Sequence, residues 1–501
     1  MIENRYNLVE EKWIPVAHTG MVSLKQIFSD LTLATLGGNP IQKISIMKLL
    51  LAITQAAVTP EDDDEWKRLG VDGLVKACVE YLENNKNYFW LYGENPFLQI
   101  PAIIKAEIQT SGALVPEIST GNTTVLFKSQ IERSLDDAGI ALLVLQVNSF
   151  AFSGKKSDNS VVLTPGYMGK TKENGKKTSG KSGPSLGYMG YQHSFYSGNN
   201  IPETIFMNLF THQDISSMGM FPDGLGDPPW GNPPAGEDDL VSQKLKKSYF
   251  GRLIPYSRFV LIADEGIHYS EGIAHDRHNE GVWDPSVTVK PDDKTPKAIW
   301  VSHEKKSWRS IPSLLSFMQK EEDFLCYQLK LAYQRIKTTF DDIGIWTGGI
   351  MVSSNAGEQY CSGTDDYSDS SFSLNSEILG EPWYFRLRNE MQELNRLDKA
   401  IYSCMNSYHK ELKVKNENLI KKAKYDYWSR CERNFQDLLD FCEDREQLLV
   451  LRKKFASYVY QSYDKYCPSV TARQMAAWAK CKPKLSKYLS ELKEDGEDVA
   501  G

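Results

Sequence analysis

From Pro382 onward the apolar residues fall every three or four positions, and that spacing leaves few choices for how the end of the chain folds. Trp383, Leu387, Met391, Leu394, Leu397, Ile401, Met405, Tyr408 and Leu412 form one stripe. Leu419, Ala423, Tyr427, Cys431, Phe435, Leu438 and Cys442 form a second; Leu448, Leu451, Phe455, Tyr458 and Val459 a third; Met475, Ala479, Leu485, Leu489 and Leu492 a fourth. Four amphipathic helices with short polar joints bury their stripes best against each other, which predicts an antiparallel four-helix bundle over 376–501.

The preceding 375 residues read differently. Ile46 to Ile53 is apolar nearly all round and predicts a buried helix. Glu94 to Ile100 reads as a turn into an extended segment, and strand signals occur at Phe259–Ile262 and Ala298–Val301. Residues 153–200, rich in Gly, Ser and Lys, and the proline-rich 221–238 predict irregular connections. A Ser/Gly/Asp-rich stretch, 353–373, separates this body from the helical end. The chain is therefore expected to be α+β: a large irregular mixed α/β N-terminal domain, 1–375, followed by the bundle, 376–501.

Composition narrows the function classes. No run of about 18 apolar residues appears and the start lacks a signal-peptide pattern, so a cytoplasmic protein without membrane contact is expected. The eight cysteines contain no CxxC pair and read as free, mostly buried thiols, with no metal site and no cofactor motif. The net charge of −7 hides an asymmetry: from Glu381 to the end, 23 Lys+Arg stand against 19 Asp+Glu. Local basic faces on an acidic body suit a subunit that touches nucleic acid in places and protein elsewhere.

Four phrases then occur in a fixed order: YNLVEEKWIPV at Tyr6–Val16, LLLAI at Leu49–Ile53, NPFLQ at Asn95–Gln99 and KYLSELK at Lys487–Lys493. In that order, and over nearly its whole length, the chain resembles the large subunit of the type I-E CRISPR Cascade complex, the CasA family. The resemblance implies a non-catalytic subunit of a crRNA-guided surveillance complex. Its partners would be the other Cascade subunits, the crRNA 5′ handle, double-stranded target DNA bearing a protospacer-adjacent motif (PAM), and a recruited helicase–nuclease. In guided systems base pairing reads the target sequence, while protein reads the PAM and duplex shape.

The same resemblance assigns residues. Ser153, Gly154, Lys155 and Lys156 match a glycine loop that enters the PAM minor groove, about 6 Å wide and more open to backbone than to side chains. Only Gly154 remains of the family's glycine run. Lys155 and Lys156 therefore have phosphates as alternative partners, and the Gly-Tyr-Met-Gly repeats at 166–169 and 187–190 are an alternative loop. A cationic finger in a β-hairpin falls on His275-Asp276-Arg277-His278, with Arg277 as its cation. A wedge that unstacks the first base pair follows Gly348-Gly349, read as a hairpin turn. Gly349, Ser354 and Asn355 are its residues, with Met351 and Val352 as apolar alternatives. Asn122, Thr123, Phe127 and Lys128 match a loop anchoring the subunit to the crRNA handle, where Phe127 is either a stacking or a core residue. Basic residues from Lys410 to Arg433 and at Arg452–Lys454 are candidates for following displaced DNA, or form a solvated face. The opening motif carries no chemistry; Trp13 and Pro15 are expected to pack and orient the N-terminal domain.

Two other readings compete. His268, His275, Asp276 and His278 are close in sequence, as a metal-dependent nuclease would need, but they match no HExxH or zinc-finger spacing, and no P-loop or GxSxG elbow occurs. A protein-only scaffold without PAM reading is the other alternative. The expectation is that the chain is not an enzyme.

Overall fold

In the computed structural model, the residues described are 3–115, 134–150, 158, 161, 190–276, 281–291, 296–302, 305–319, 323–352 and 367–494. The architecture is mixed α/β, with many helices and five small sheets of two or three strands among the described residues. Two compact units divide the chain: Met1–Ser307 with Asp323–Ser371, and Trp308–Glu322 with Phe372–Gly501.

The first unit is built around the helix Pro40–Ala57. Its start is set by a capping box: Asn39 Oδ1 accepts from Gln42 N at 2.9 Å, and Gln42 Oε1 accepts from Asn39 N at 3.0 Å. Pro40 sits at the first turn, where its missing N–H costs nothing. Every residue from Ile44 to Gln55 is buried, as the all-round apolar pattern predicts, and each Leu or Ile contributes roughly 1.5–3 kcal/mol. The helices Asp63–Asn84, Asp137–Ser149 and Ile201–Asn208 pack on it. Trp66 of the first of these stacks on Phe206 of the last at 4.0 Å and donates its indole N–H to the Phe206 carbonyl.

The opening motif is core, as expected for Trp13. That residue is fully buried and donates to Leu8 O at 2.9 Å, while Ile14–Val16 pairs with Gly20–Val22. The NPFLQ phrase departs from the expected extended run. It turns through Phe97 and Leu98, the latter at φ +53°, into a short 3-10 turn at Pro101–Ile103. Gln99 compels this shape. Its amide donates to Leu91 O at 2.7 Å and accepts from Ile262 N at 2.9 Å, so the phrase is a buried splice between strands.

Two three-stranded sheets matter for the site. In one, Gly266–Glu271 lies between Arg258–Ala263 and Ile108–Gln109. In the other, Asp342–Ile350 lies between His193–Ser197 and Tyr367–Asn375, in antiparallel register with the first, Gly348 opposite His193. The stretch expected to be a separator thus contributes a strand from Tyr367 onward.

From Glu381 onward the described residues of the second unit form six helices where four stripes are legible: Glu381–Glu411, Glu417–Glu432, Phe435–Phe441, Arg445–Tyr466, Ala472–Cys481 and Ser486–Glu494. Trp383, Leu387, Met391, Leu394, Leu397, Ile401, Met405 and Tyr408 are buried as one face of the first. The second stripe breaks at Arg433–Asn434, and the fourth breaks at Pro483, which cannot continue a helix. That break frees Ala472–Cys481 to choose its own face. Ala477 turns inward, while Met475 is 55% exposed. Buried hydrogen bonds tie the helices: Trp383 Nε1 donates to Leu439 O at 3.0 Å and Tyr427 Oη to Leu394 O at 3.1 Å. Arg452 forms a two-pronged pair with Glu390, both side chains buried. Seven cysteines, all but Cys361, are described; all seven are free thiols and five are buried.

No helix among the described residues is long and apolar enough to cross a membrane.

Candidate nucleic-acid interface

Most assigned contact residues lie outside the described residues: Asn122, Thr123, Phe127 and Lys128; Ser153, Gly154, Lys155 and Lys156; Arg277; and Ser354 and Asn355. Gly349 is described, as are the elements from which these segments depart.

Gly348-Gly349 is not a turn. Both residues lie inside the strand Asp342–Ile350. Their lack of a side chain serves close approach instead. A Cβ on Gly349 would sit 2.7 Å from Tyr191 O and 2.9 Å from Val301 Cγ2; one on Gly348 would sit 2.8 Å from Ser368 O. Val352 is buried, and a Cβ on Gly190 would meet its Cγ2 at 2.6 Å, so Val352 is a packing residue rather than an exposed wedge. Met351 is half-buried.

The strand is held by a buried hydroxyl–amide network. Gln192 Nε2 donates to Thr347 Oγ1 at 2.8 Å and to Ser307 O at 3.2 Å; Ser194 Oγ lies 2.9 Å from Thr347 Oγ1. Such a network fixes register because any slip leaves buried donors unpaired.

Behind it lies a second buried cluster. Lys48 pairs with Asp284 and donates to Arg252 O at 3.0 Å. Asp284 Oδ1 accepts from the Ser286 hydroxyl at 2.8 Å, and that oxygen lies 2.8 Å from His193 Nδ1. Burial lowers the Lys48 pKa, against the opposing pull of Asp284. Burial works to raise the Asp284 carboxyl, but Lys48 and then His193 outweigh it and hold it below the usual range. Burial depresses His193 to about 4 despite Asp284, so the ring is neutral at pH 7. A Ser/His/Asp set is present, but in an order unlike a nucleophile relay. The hydroxyl stands between acid and imidazole, whereas a relay needs the imidazole in the middle. The cluster pins the His193 strand to the Pro40–Ala57 helix.

The finger expectation is corrected in its surroundings. The hairpin Arg258–Glu271 ends before His275, and residues 272–276 run without strand structure. His275 is buried, and its Nε2–H donates to Pro255 O at 2.8 Å. Burial, reinforced by Arg252, puts its pKa well below the ordinary value. His268 makes its own bond, 2.8 Å from Ala106 O. Each ring is thus committed to a carbonyl, and no group of three or more His, Cys, Asp and Glu able to hold a metal occurs among the described residues.

The glycine-loop segment departs from the helix Asp137–Ser149, capped by Asp136, whose carboxylate accepts from Gly139 N at 2.8 Å. Asn148 donates to Leu98 O at 3.1 Å, and Phe150, buried, packs edge-on to His193 at 5.9 Å. That root is rigid.

In the second unit, Lys410, Lys413, Lys415, Lys421, Lys422 and Arg433 are exposed. Lys424 pairs with Asp398 at 3.2 Å and Arg430 with Asp426 at 2.9 Å. Arg452 leaves the surface list, being spent on Glu390. Sequence reasoning also missed Trp300, 41% exposed, and the direct opposition of Lys290 and Lys297 on paired strands. Neither has a local signature, because exposure and register are properties of the fold.

Solved structures with the same architecture define its class. The crystal structure of Thermobifida fusca Cse1 superposes with a TM-score of 0.75 at 17% identity, covering 98% of this chain and 98% of that one. A chain described as part of a CRISPR RNA-guided surveillance complex gives a TM-score of 0.65 at 14% identity, covering 97% of this chain and 99% of that one. The fold is therefore the Cse1 fold. A CasA/Cse1 protein of Thermus thermophilus is 27% identical over 340 residues, or 62% of this chain. The match spans 60% of that relative's length. The family model described as CRISPR-associated protein Cse1 (CRISPR_cse1) matches residues 7–465. The chain belongs to this Cse1/CasA family, the large subunit of the type I-E Cascade.

Proposed function

We propose that this chain is the non-catalytic subunit that reads the PAM of double-stranded DNA within a cytoplasmic, crRNA-guided Cascade complex, helps open the duplex and recruits the helicase–nuclease. The observation that carries this reading is the family match over residues 7–465. Ser153–Lys156 and Arg277 approach the PAM from its minor groove, while Ser354 and Asn355, beyond the Gly349 strand, enter the base stack. Asn122, Thr123, Phe127 and Lys128 hold the crRNA handle and the neighbouring subunit. The stretch 1–375 is the PAM-recognition domain. The helices of 376–501 act as a four-helix bundle, two of whose members are broken in the middle, with the exposed lysines of Lys410–Lys422 turned to DNA.

Anchoring supports this division of labour. A wedge must transmit force while a base step unstacks, at a cost of a few kcal/mol. The strand before Asn355 is locked by Thr347, Gln192 and Ser194.

The test compares complexes assembled with and without this chain on a PAM library, and incubates the purified chain with duplex DNA and magnesium or manganese. PAM-selective binding should require the chain, and the chain alone should leave DNA intact. Selectivity without it, or metal-dependent cleavage by it, would refute the reading.

A further inference from the structure

In the opening phrase Tyr6–Val16, the apolar members Leu8, Val9, Trp13, Ile14 and Val16 are core. Its polar members meet elsewhere: Tyr6, Asn7, Glu10 and Glu11 line a cleft of about 390 Å³, with Trp90 beside them. That volume falls in the range of ligand pockets, roughly 300–1,000 Å³.

The cleft is firmly built. The strand Arg5–Asn7 pairs with Trp90–Tyr92, Asn7 opposite Trp90. Asn7 Nδ2 donates to Lys86 O at 3.1 Å, and its Oδ1 accepts from Val9 N at 3.1 Å. Tyr6 holds φ at +60°, a conformation that disfavours any residue with a side chain. Its Oη donates to Lys12 O at 3.1 Å, so the ring is tethered at both ends.

The groups around the cleft are not all satisfied. Both cations are spent, Arg5 on Asp137 at 3.2 Å and Lys86 on Glu10 at 2.8 Å. The Glu3 and Glu11 carboxylates line the cleft, are exposed, and have no ion-pair or hydrogen-bond partner among the described residues. Burial first, and Glu11 next, push the Tyr6 phenol up to about 12, so the Glu11 charge is felt at the ring. The Trp90 indole N–H is buried and has no acceptor among the described residues. The site therefore lacks both a cation and an acceptor.

Carboxylates beside aromatic rings suit a guanidinium, which pairs with the former and lies against the latter. A main-chain carbonyl next to such a side chain supplies the acceptor that a free metal ion or polyamine would not. Phosphates would be repelled, which separates this cleft from the nucleic-acid contacts.

We propose that this cleft docks an arginine-bearing segment of a neighbouring protein subunit, with the guanidinium between Glu3, Glu11 and the Tyr6 and Trp90 rings. The proposal rests on the reading that the chain works inside a multisubunit complex.

The experiment places the photo-reactive residue p-benzoylphenylalanine at Asn4, which lines the cleft, and irradiates the assembled complex. Mass spectrometry should find an adduct on an arginine-containing peptide of another protein subunit. In parallel, Glu11→Lys should weaken binding of this chain to the remaining subunits about tenfold or more, and Glu11→Gln by less. The urea midpoint of the free chain should not move, because the carboxylate has no partner within the fold. If the lysine variant unfolds, the adduct and the glutamine variant decide. Adducts only within this chain or on nucleic acid would overturn the cleft while leaving the proposed function standing. So would a folded Glu11→Lys chain that binds as wild type. Failure of the wild-type chain to join the complex would contradict both.

Discussion

Gly349 lies so close to Tyr191 that a methyl group on it would sit 2.7 Å from the Tyr191 carbonyl oxygen. A backbone oxygen cannot swing aside as a side-chain tip can, so the contact fixes how the strand before Asn355 passes the segment beneath it. The glycine pair is a spacing device for a strand.

Gly349→Ala is therefore expected to cost about 1–3 kcal/mol through overpacking. Urea denaturation of the purified chain should show a lower midpoint with an unchanged slope. In the assembled complex the same substitution should weaken PAM-dependent binding more than guide-strand pairing to an opened target.

Glu390→Ala should destabilise the second unit by roughly 3–5 kcal/mol, because it strands the buried Arg452 guanidinium. The double replacement Glu390→Leu with Arg452→Met should recover most of that loss, since neither charge of the pair is then left in the interior without its partner. Denaturation of the single and double variants measures both. A single variant as stable as wild type would contradict the buried pairing.

The Arg452 case shows where sequence reading stops. Its neighbours Lys453 and Lys454 are exposed, and locally the three read as one basic cluster. Glu390, which captures Arg452, is 62 positions away. The apolar helix at Ile46–Ile53 was legible because no other environment tolerates such a surface. The first helical stripe was legible for the same reason. Gly348-Gly349 was misread as a turn because glycine marks positive φ and close approach alike, and only the neighbour at Tyr191 separates them. The proposal of Arg277 and Asn355 as contact residues comes from the family phrases; composition or periodicity alone points to neither.

His193 makes stability depend on pH with a defined sign. Its folded pKa, about 4, lies below the ordinary 6.5, so between these values the unfolded chain binds the extra proton. Its contribution is complete above pH 6.5 and is lost as pH falls toward 4, with a slope approaching ~1.4 kcal/mol per unit. His275, also depressed by burial, adds in the same direction. Replacing His193 by Gln should flatten the fall of stability between pH 6.5 and 4 by up to one proton, measured by urea denaturation across that range. An unchanged slope would mean that His193 is not buried neutral.

The most direct test of the central claim is the affinity of the assembled complex for two otherwise identical duplex targets, one with the PAM and one without. Arg277→Ala and Asn355→Ala should each cut affinity for the PAM-bearing duplex by about tenfold or more, corresponding to ~1–3 kcal/mol per lost contact. Both should leave the weak binding of the PAM-less duplex unchanged. If both variants keep the full difference between the two targets, this chain does not read the PAM through these residues and the account is wrong.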